Sequence, residues 1–446
     1  MPVWQALELI EPEESGEQLR GWFIEVPRGG DSGENYTWGN LYTMDIKGWV
    51  VGRHARATAV ELVYHDHVIR TDPVRGPRPD IAPVFPDLDP ETGMHFHSML
   101  GVVGLRPEFK IGVQAVLENG ERVPMGRIRA RHEPLRSGYT PRIRPIVVTC
   151  LGRSGTTWLM RMLRHHPEIV VYEKHPYEQT FAKYWMHMLR VLSQPADSIN
   201  SYETETFHNR IWELGYNPFY DIQIAHEPAS REWFGREYVE RLARFAQANV
   251  DDWYTTVARE QEQAPPTYFA EKHQWPNYIP VLIWELYPEA KEIFLVRDFR
   301  DMVHSILAFD RKRGYSGFGR PEGRSDEDYV RMELREMALN LRKSWVTRRH
   351  KAHLVRYEDL VHRPVETAKG ILEYLELDAS PRRVEQLLAG GSMDSEELRD
   401  HRTSRKAEES IGRWRREGDD AFRGLCNEVF GDILGDFGYS EAGYVG

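Results

Sequence analysis

Residues 146–159 of the chain read IVVTCLGRSGTTWL, and this stretch carries the clearest indication of the fold class. The run Ile146–Leu151 is short, apolar and rich in β-branched residues, with a proline before it and a glycine after it. Such a run is typical of a buried parallel strand. Beyond the glycine turn, apolar residues recur at helical spacing over Trp158–Leu163. The pattern therefore predicts a strand, a glycine turn and a helix, which is the opening unit of an α/β fold.

Further short apolar runs follow, separated by helix-like stretches. They are Ile169–Val171, Tyr268–Ala270, Glu292–Val296 and His353–Val355. We expect them to form a parallel sheet with helices on both faces, in an α/β domain over residues 146–446. A helix-rich, aromatic insert is predicted at about 195–266.

The part of the chain before this domain has a β-like pattern. Apolar and polar residues alternate over Phe109–Leu117, and a turn-like Glu-Asn-Gly-Glu stretch follows, which predicts a hairpin. Several such segments between about residues 40 and 130 predict a small antiparallel β-sandwich domain over residues 1–131. Residues 132–145 are rich in proline and arginine and are predicted to be a linker.

The amino-acid composition excludes several classes of protein. The 446 residues include 58 Lys and Arg against 69 Asp and Glu, which gives a net charge of −11. This balance argues against general binding to nucleic acid or to an anionic membrane, so any anionic ligand needs a local basic site. The chain has two cysteines and neither a signal-peptide pattern nor an apolar run of membrane-spanning length. We therefore expect a cytoplasmic protein that is not integral to a membrane.

The glycine turn predicts an anion site. A turn between a buried strand and a helix directs backbone N–H groups and the positive helix end to one point. Arg153 adds a cation, and Thr156 and Thr157 add hydroxyl donors. The alternative is a tight turn that needs glycine only for its backbone angles. Because no lysine precedes Thr156, the nucleotide loop of ordinary ATPases and GTPases is absent.

These residues resemble a known family. GRSGTTWL is similar to the 5′-phosphosulfate loop of sulfotransferases that use 3′-phosphoadenosine-5′-phosphosulfate (PAPS). A second element of that family, a strand ending in arginine with a serine eight residues later, is matched by Arg297 and Ser305. The segment Tyr357–Leu360 resembles its YEDL motif, and Ser410–Trp414 resembles its C-terminal G-x-W element. The resemblance covers about residues 145–420.

The resemblance implies a P-loop-like sulfotransferase fold and a function. The enzyme would transfer a sulfuryl group from PAPS, without a metal, to a hydroxyl or less readily an amine of a small-molecule or carbohydrate acceptor. It implies binding of the 5′-phosphosulfate, the 3′-phosphate and the adenine. The implied cofactor-binding residues are Arg153, Ser154, Gly155, Thr156, Thr157, Trp158, Arg297, Ser305, Tyr357, Arg405 and Arg413. Arg153 stands where many relatives have lysine. The resemblance also implies that Arg153 is the catalytic cation at the departing phosphate oxygen.

The general base stays open between two places. His273, with Lys272 as a neighbouring cation, lies where many relatives have Lys-x-His. Glu173 and His175 follow another predicted strand and offer a second choice, since some relatives use a carboxylate. The near-neutral pKa of an imidazole makes a histidine the easier base.

Two other functions remain as alternatives. A nucleotide-dependent phosphotransferase would use the same loop, but should need Mg²⁺ and a loop lysine. A carbohydrate-binding or scaffolding protein would work through its β domain and keep only a vestigial nucleotide site. No zinc-ligand spacing is recognised, because the pairs His65/His67 and His95/His97 lack a carboxylate or cysteine that would complete one.

Overall fold

The computed structural model describes residues 4–10, 17–28, 42–65, 67–193, 229, 232–274, 279–391, 403–404 and 406–444. The chain divides into two compact units. One comprises Met1–Tyr139 and Trp185–Ala246, and the other comprises Thr140–Tyr184 and Gln247–Gly446.

The first unit contains two antiparallel sheets. The strands are β1 (Trp4–Ile10), β2 (Leu19–Val26), β3 (Thr43–Gly52), β4 (Ala57–Tyr64), β5 (His67–Pro73), β6 (His95–Gly101), β7 (Glu108–Leu117) and β8 (Arg122–His132). Within the described residues, one sheet has the order β1-β8-β7-β4-β5 and the other β2-β3-β6. The predicted hairpin is β7 and β8, in which Ile111 pairs with Ile128 and both side chains are fully buried. Alternate residues of these strands are buried, as expected for sheets with one apolar face.

The second unit is built on a parallel sheet. Its strands are β9 (Arg144–Cys150), β10 (Ile169–Val170), β11 (Tyr268–Gln274), β12 (Lys291–Val296) and β13 (His353–Arg356). Within the described ranges their order is β10-β11-β9-β12-β13, and all the pairings are parallel. A short antiparallel pair, β14 (Tyr439–Ser440) and β15 (Gly443–Tyr444), lies near the end of the chain.

Helices connect these strands. They are α1 (Thr156–Arg164), α2 (Phe181–Leu192), α3 (Tyr238–Glu260), α4 (Ile279–Leu286), α5 (Phe299–Arg313), α6 (Asp326–Tyr329), α7 (Arg335–Arg348), α8 (Tyr357–His362), α9 (Pro364–Tyr374), α10 (Pro381–Gly390), α11 (Arg413–Arg416) and α12 (Asp420–Leu434). Five-residue π-helical turns precede α3 and α7, at Trp233–Glu237 and Val330–Leu334. Single 3₁₀ turns occur at Ala82–Val84, Glu408–Ser410 and Gly435–Phe437. None of the helices in the described ranges is long and apolar enough to cross a membrane.

Both faces of the parallel sheet are covered by helices. On one face, Val148 and Cys150 of β9 belong to a buried cluster with side chains of α1, α9 and α10. On the other face, Phe294 and Val296 of β12 belong to a cluster with α5, α7 and α12. The strands of this sheet are nearly continuous apolar runs because their side chains are buried on both faces of the sheet. The predicted fold class is therefore confirmed: a parallel α/β sheet flanked by helices, preceded by antiparallel sheets.

The topology places the glycine turn where a ligand can bind. The central strand β9 has β11 on one side and β12 on the other, so the strand order reverses beside it. In open parallel sheets, ligands bind at the carboxyl ends of the strands where this reversal opens a crevice. Residues 151–155 leave β9 at that end, and Arg297 follows β12 there.

Candidate active site

The loop between β9 and α1 has an unusual backbone. Arg153 has φ 65° and Gly155 has φ 88°, so both residues adopt the left-handed region. A Cβ atom added at Gly155 would lie 2.5 Å from Cδ2 of Tyr357, which leaves no room for a side chain. Glycine at this position is thus required both by its backbone angle and by the close approach of the tyrosine ring.

The first turn of α1 can receive an anion. Gly155 is the N-cap residue, no side chain caps the helix, and its first turn contains no acidic residue. The first N–H groups of a helix have no partner within the helix, and the helix dipole favours negative charge beside them. Ser154 and Thr156 of the loop are buried. The start of α1 therefore offers backbone N–H donors next to two buried hydroxyl-bearing residues, and its role as an anion site stays a prediction.

Arg297 lies beside this loop and is 5% exposed. Its Nη1 donates to the carbonyl oxygen of Arg153 at 3.2 Å, and its Nη2 donates to the carbonyl oxygen of Ser410 at 2.6 Å. Within the described residues, its Nε is buried without a hydrogen-bond partner. The guanidinium also lies 4.8 Å from the centre of the Tyr357 ring. A buried guanidinium with a free donor is suited to a forked contact with a phosphate.

Arg153 brings a second guanidinium to the same place. Its Nε donates to the hydroxyl of Ser305 at 3.2 Å, and its guanidinium lies 4.3 Å from the centre of the Phe309 ring. Burial, and then the nearby charge of Arg297, lower the pKa of Arg153 to about 10. Arg153 thus remains protonated at neutral pH, and the repulsion between the two cations favours a bound anion.

The C-terminal segment approaches the same residues. Tyr357 shares a hydrogen bond of 3.0 Å with the hydroxyl of Ser410, and Ser305 contacts the hydroxyl of Thr403 at 3.4 Å. Arg413 donates to the carbonyl oxygen of Thr403 at 2.9 Å and is also bonded to Glu417. The structure therefore brings together the glycine loop, Arg297 with Ser305, Tyr357 and the segment of the G-x-W element.

A buried carboxylate on α5 anchors this segment. Asp301 on α5 accepts hydrogen bonds from the backbone N–H of Gly412 at 2.6 Å and of Trp414 at 3.0 Å. Asp301 and Ser305 both lie on α5, so this anchor links the C-terminal segment directly to the helix that carries Ser305. Arg405 lies outside the described residues.

Trp158 is close to the predicted adenine-binding tyrosine. Its ring centre lies 6.0 Å from that of Tyr357, in an edge-to-face arrangement. Its Nε1 donates to the carbonyl oxygen of Gly391 at 2.6 Å, which joins α1 to the end of α10. Trp158 thus supports one side of the Tyr357 ring.

The structure separates the two residues predicted at the end of β11. Successive side chains of a strand point to opposite faces, so Lys272 and His273 diverge. Lys272 donates to the carbonyl oxygen of Pro176 at 2.9 Å and to Glu178 at 3.0 Å. His273 instead lies beside Glu271, with Nε2 3.1 Å from Oε2 of the carboxylate. Alternation along the strand pairs positions 271 and 273, a signal that was present in the sequence.

The other candidates for the base lie after β10. The Glu173 carboxylate is ion-paired with Arg164 of α1, and its backbone N–H donates to the Gln261 side chain. The ring of His175 packs edge-to-face against Tyr177, with centres 6.3 Å apart. Glu173 is exposed and already has a cationic partner. Within the described ranges, no group of three histidine, cysteine or carboxylate side chains is placed to hold a metal ion.

Glu358, in the YEDL-like segment, is a buried acid that contacts Asp298, the residue after Arg297. Its carboxylate accepts hydrogen bonds from the backbone N–H of Asp298 at 3.0 Å and from the Tyr439 hydroxyl at 2.7 Å. Burial raises the pKa of Glu358 from 4.5 to about 7, although both hydrogen bonds and the charge of Arg297 oppose the rise. The folded chain therefore binds this proton more tightly than the unfolded chain does.

The raised pKa of Glu358 predicts a pH-dependent stability. As the pH rises from about 4.5 to about 7, the free energy of unfolding should fall by the order of 3 kcal/mol through this group, and then level off. The Glu358→Gln variant cannot titrate there, so its stability should lose this decline. Urea unfolding of both proteins across that pH range measures the difference. Parallel pH dependences in the two proteins would show that Glu358 keeps its ordinary pKa.

Comparison with known proteins identifies a family for this chain. A family model described as the sulfotransferase family matches residues 145–381, more than half of the 446 residues. Among solved structures, the chain is similar to the sulfotransferase domain of the olefin synthase from Synechococcus PCC 7002. The identity is 20% and the TM-score 0.35, and the match covers 66% of this chain and 96% of that one.

Two further sulfotransferase structures match more distantly in sequence. The enzyme from Alicyclobacillus acidocaldarius is 13% identical, with a TM-score of 0.35, and the match covers 67% of this chain and 95% of that one. Mouse sulfotransferase SULT7A1 complexed with PAP is 13% identical, with a TM-score of 0.36, and the match covers 68% and 89% of the two chains. A search of curated protein sequences found no match. On the extent of the family match, the chain belongs to the sulfotransferase family.

Proposed function

We propose that residues 146–446 form the catalytic domain of a PAPS-dependent sulfotransferase whose acceptor is a hydroxyl group of a small molecule or carbohydrate. The observation that carries the proposal is a pair of cations, the buried Arg297 and the half-buried Arg153, beside an uncapped helix N-terminus. Two cations in a buried site favour a multiply charged anion, and PAPS carries anionic groups at both its 5′ and 3′ positions. The antiparallel sheets over residues 1–131 are proposed to form a separate domain.

The residues present fit the donor. The N–H groups at the start of α1, with Ser154, Thr156 and Thr157, would hold the 5′-phosphosulfate. Arg297, through its free Nε, and Ser305 would hold the 3′-phosphate, whereas Tyr357 with Trp158 beside it offers an aromatic surface for adenine. Arg413 would support the 3′-phosphate side of the site by holding Thr403, which contacts Ser305.

The proposed reaction follows from the charges that move. A bond forms between the acceptor oxygen and sulfur while the bond from sulfur to the phosphate oxygen breaks. The acceptor proton passes to His273, and the electron pair of the broken bond goes to the departing phosphate. Arg153 and the N-terminus of α1 stabilise the negative charge that grows on that phosphate, because both are already oriented before the reaction begins.

A hydroxyl acceptor suits a neutral imidazole base. A hydroxyl must lose its proton as its oxygen attacks sulfur, and a histidine with a near-neutral pKa can accept that proton at physiological pH. An amine that is protonated at this pH would first have to lose a proton to solvent before it could attack. We therefore propose the hydroxyl as the main acceptor and the amine as a lesser one.

Transfer of radiolabelled sulfate from PAPS tests this proposal. The purified protein is incubated with [³⁵S]PAPS, excess EDTA and a panel of acceptors that contains a phenol, an aliphatic alcohol, a monosaccharide and a primary amine. We expect labelled product from at least one hydroxyl compound, at a rate that EDTA leaves unchanged. Magnesium-dependent transfer of phosphate from ATP, without sulfate transfer, would instead establish the phosphotransferase alternative. Failure to bind any adenosine bisphosphate would favour a binding protein with a vestigial site.

A further inference from the structure

Glu271 is a buried carboxylate that none of the recognised motifs includes. It lies on β11, two residues before His273, so both side chains point to the same face of the sheet. Each residue is 1% exposed. The Nε2 atom of His273 lies 3.1 Å from Oε2 of Glu271. The two groups therefore form a buried carboxylate–imidazole pair.

The other contacts of Glu271 decide what it can do. The backbone N–H of Ala182 donates to Oε1 at 2.6 Å, and the backbone N–H of Lys183 donates to Oε2 at 3.2 Å. The hydroxyl of Tyr254 also donates to Oε1. Together with His273, these donors occupy the approximately four lone-pair positions of a carboxylate. Glu271 has no lone pair left with which to accept a proton from a substrate.

The same contacts fix the tautomer of His273. An ionised carboxylate can only accept hydrogen bonds, so Nε2 of the imidazole must carry the hydrogen that lies between the two groups. In a neutral imidazole the other nitrogen, Nδ1, then has a free lone pair. Nδ1 is buried, and none of the described residues gives it a hydrogen-bond partner. A buried acceptor without a partner is costly, and a catalytic role is one of the few reasons to keep one.

The register of the sheet places this imidazole near the glycine loop. His273 on β11 pairs with Thr149 on β9, and β9 ends at Cys150, just before the loop that carries Arg153. The carboxyl ends of these two parallel strands open on the same crevice.

From this geometry, and given the proposed sulfotransferase function, we infer that Glu271 is a positioning residue. It fixes the shared hydrogen of the His273 imidazole on Nε2, and Nδ1 is the atom that takes the proton of the acceptor hydroxyl. As the hydroxyl oxygen bonds to sulfur, the proton moves to Nδ1, and the resulting imidazolium remains bonded to the Glu271 carboxylate. A fixed tautomer ensures that the same nitrogen faces each incoming acceptor.

Nitrogen NMR of the wild-type protein tests the tautomer without an acceptor. The full chain is labelled with ¹⁵N-histidine, and the His273 signals are assigned by comparison with the His273→Gln variant. At mildly alkaline pH we expect a protonated Nε2 and an unprotonated Nδ1 for this residue. A His273 ring that carries its hydrogen on Nδ1 would overturn the inference.

Glu271→Gln tests the positioning role, with Glu292→Gln as a matched control. The Gln amide group presents an N–H₂ where the carboxylate accepted hydrogen bonds, so the His273 signature should be lost. Glu292 is another buried strand carboxylate, bonded to Thr149 and Arg348, and its replacement should leave the His273 spectrum unchanged. Equal changes in both variants, or none in Glu271→Gln, would contradict the positioning role. If Glu271→Gln does not fold, the wild-type spectrum still decides the tautomer.

A titration with 3′-phosphoadenosine-5′-phosphate (PAP), the desulfated product of PAPS, separates this inference from the proposed function. If wild-type protein binds PAP but His273 has the other tautomer, the inference fails and the proposed function stands. If wild-type protein does not bind PAP, the proposed function fails, whatever the tautomer is.

Discussion

Replacing His273 by alanine should lower sulfate transfer from PAPS by about 10²–10⁴-fold, the usual contribution of a general base. The affinity for PAP should stay within about twofold, because the loop and the arginines proposed to hold PAP do not depend on this imidazole. Initial rates with a hydroxyl acceptor, together with calorimetric titration of PAP, measure the two effects separately.

His175→Ala and Glu173→Gln are the matched controls for this prediction, because the sequence leaves all three residues open as the base. Glu173 is exposed and ion-paired with Arg164, and His175 packs on Tyr177. We expect each of these variants to retain transfer within about fivefold of wild type, since neither should remove the base. A large loss in either one, with His273→Ala still active, would move the base to the segment after β10.

The Arg297→Ala variant should bind PAP at least about 100-fold more weakly than wild type, equivalent to about 2.7 kcal/mol. Arg297 is buried, and its free Nε is the donor proposed for the 3′-phosphate. AMP has no 3′-phosphate, so its weaker binding should change much less. The preference for PAP over AMP should therefore nearly disappear in this variant.

Two further variants show whether the loss of PAP binding in Arg297→Ala comes from the lost positive charge or from the lost geometry of the guanidinium. Arg342→Ala removes the same charge from an exposed ion pair with Asp436 and should leave PAP binding unchanged. Arg297→Lys keeps the charge without the fork and should fall between wild type and Arg297→Ala. If Arg297→Ala weakens the binding of PAP and of AMP by the same factor, Arg297 supports binding only indirectly, by holding the carbonyl groups of Arg153 and Ser410.

Local sequence predicted much of the fold. The apolar run before Gly152 is β9, the spacing after it is α1, and the other predicted runs are strands of the same parallel sheet. These predictions succeeded because buried parallel strands are continuous apolar runs bounded by turn residues. The position of Arg297 directly after β12, with Ser305 on the following helix, was also predicted from local pattern.

Contacts between distant residues were harder to predict. The Asp301 anchor joins residues more than 110 positions apart, and Glu271 accepts a hydrogen bond from Ala182, 89 positions earlier. Nothing in the local pattern around either acid distinguishes it from a surface carboxylate. Strand alternation did place Glu271 with His273 and apart from Lys272, but the sequence interpretation followed the resemblance to Lys-x-His and named Lys272 with His273.

Calorimetric titration of the wild-type protein with PAP and with AMP, in excess EDTA, tests whether this site binds a PAPS-type donor through its 3′-phosphate. The pair of cations Arg153 and Arg297 predicts saturable binding of PAP at one site per chain, at least about 100-fold tighter than binding of AMP. Absence of PAP binding, or equal affinity for PAP and AMP, would contradict the proposal that this site holds the 3′-phosphate of a PAPS donor.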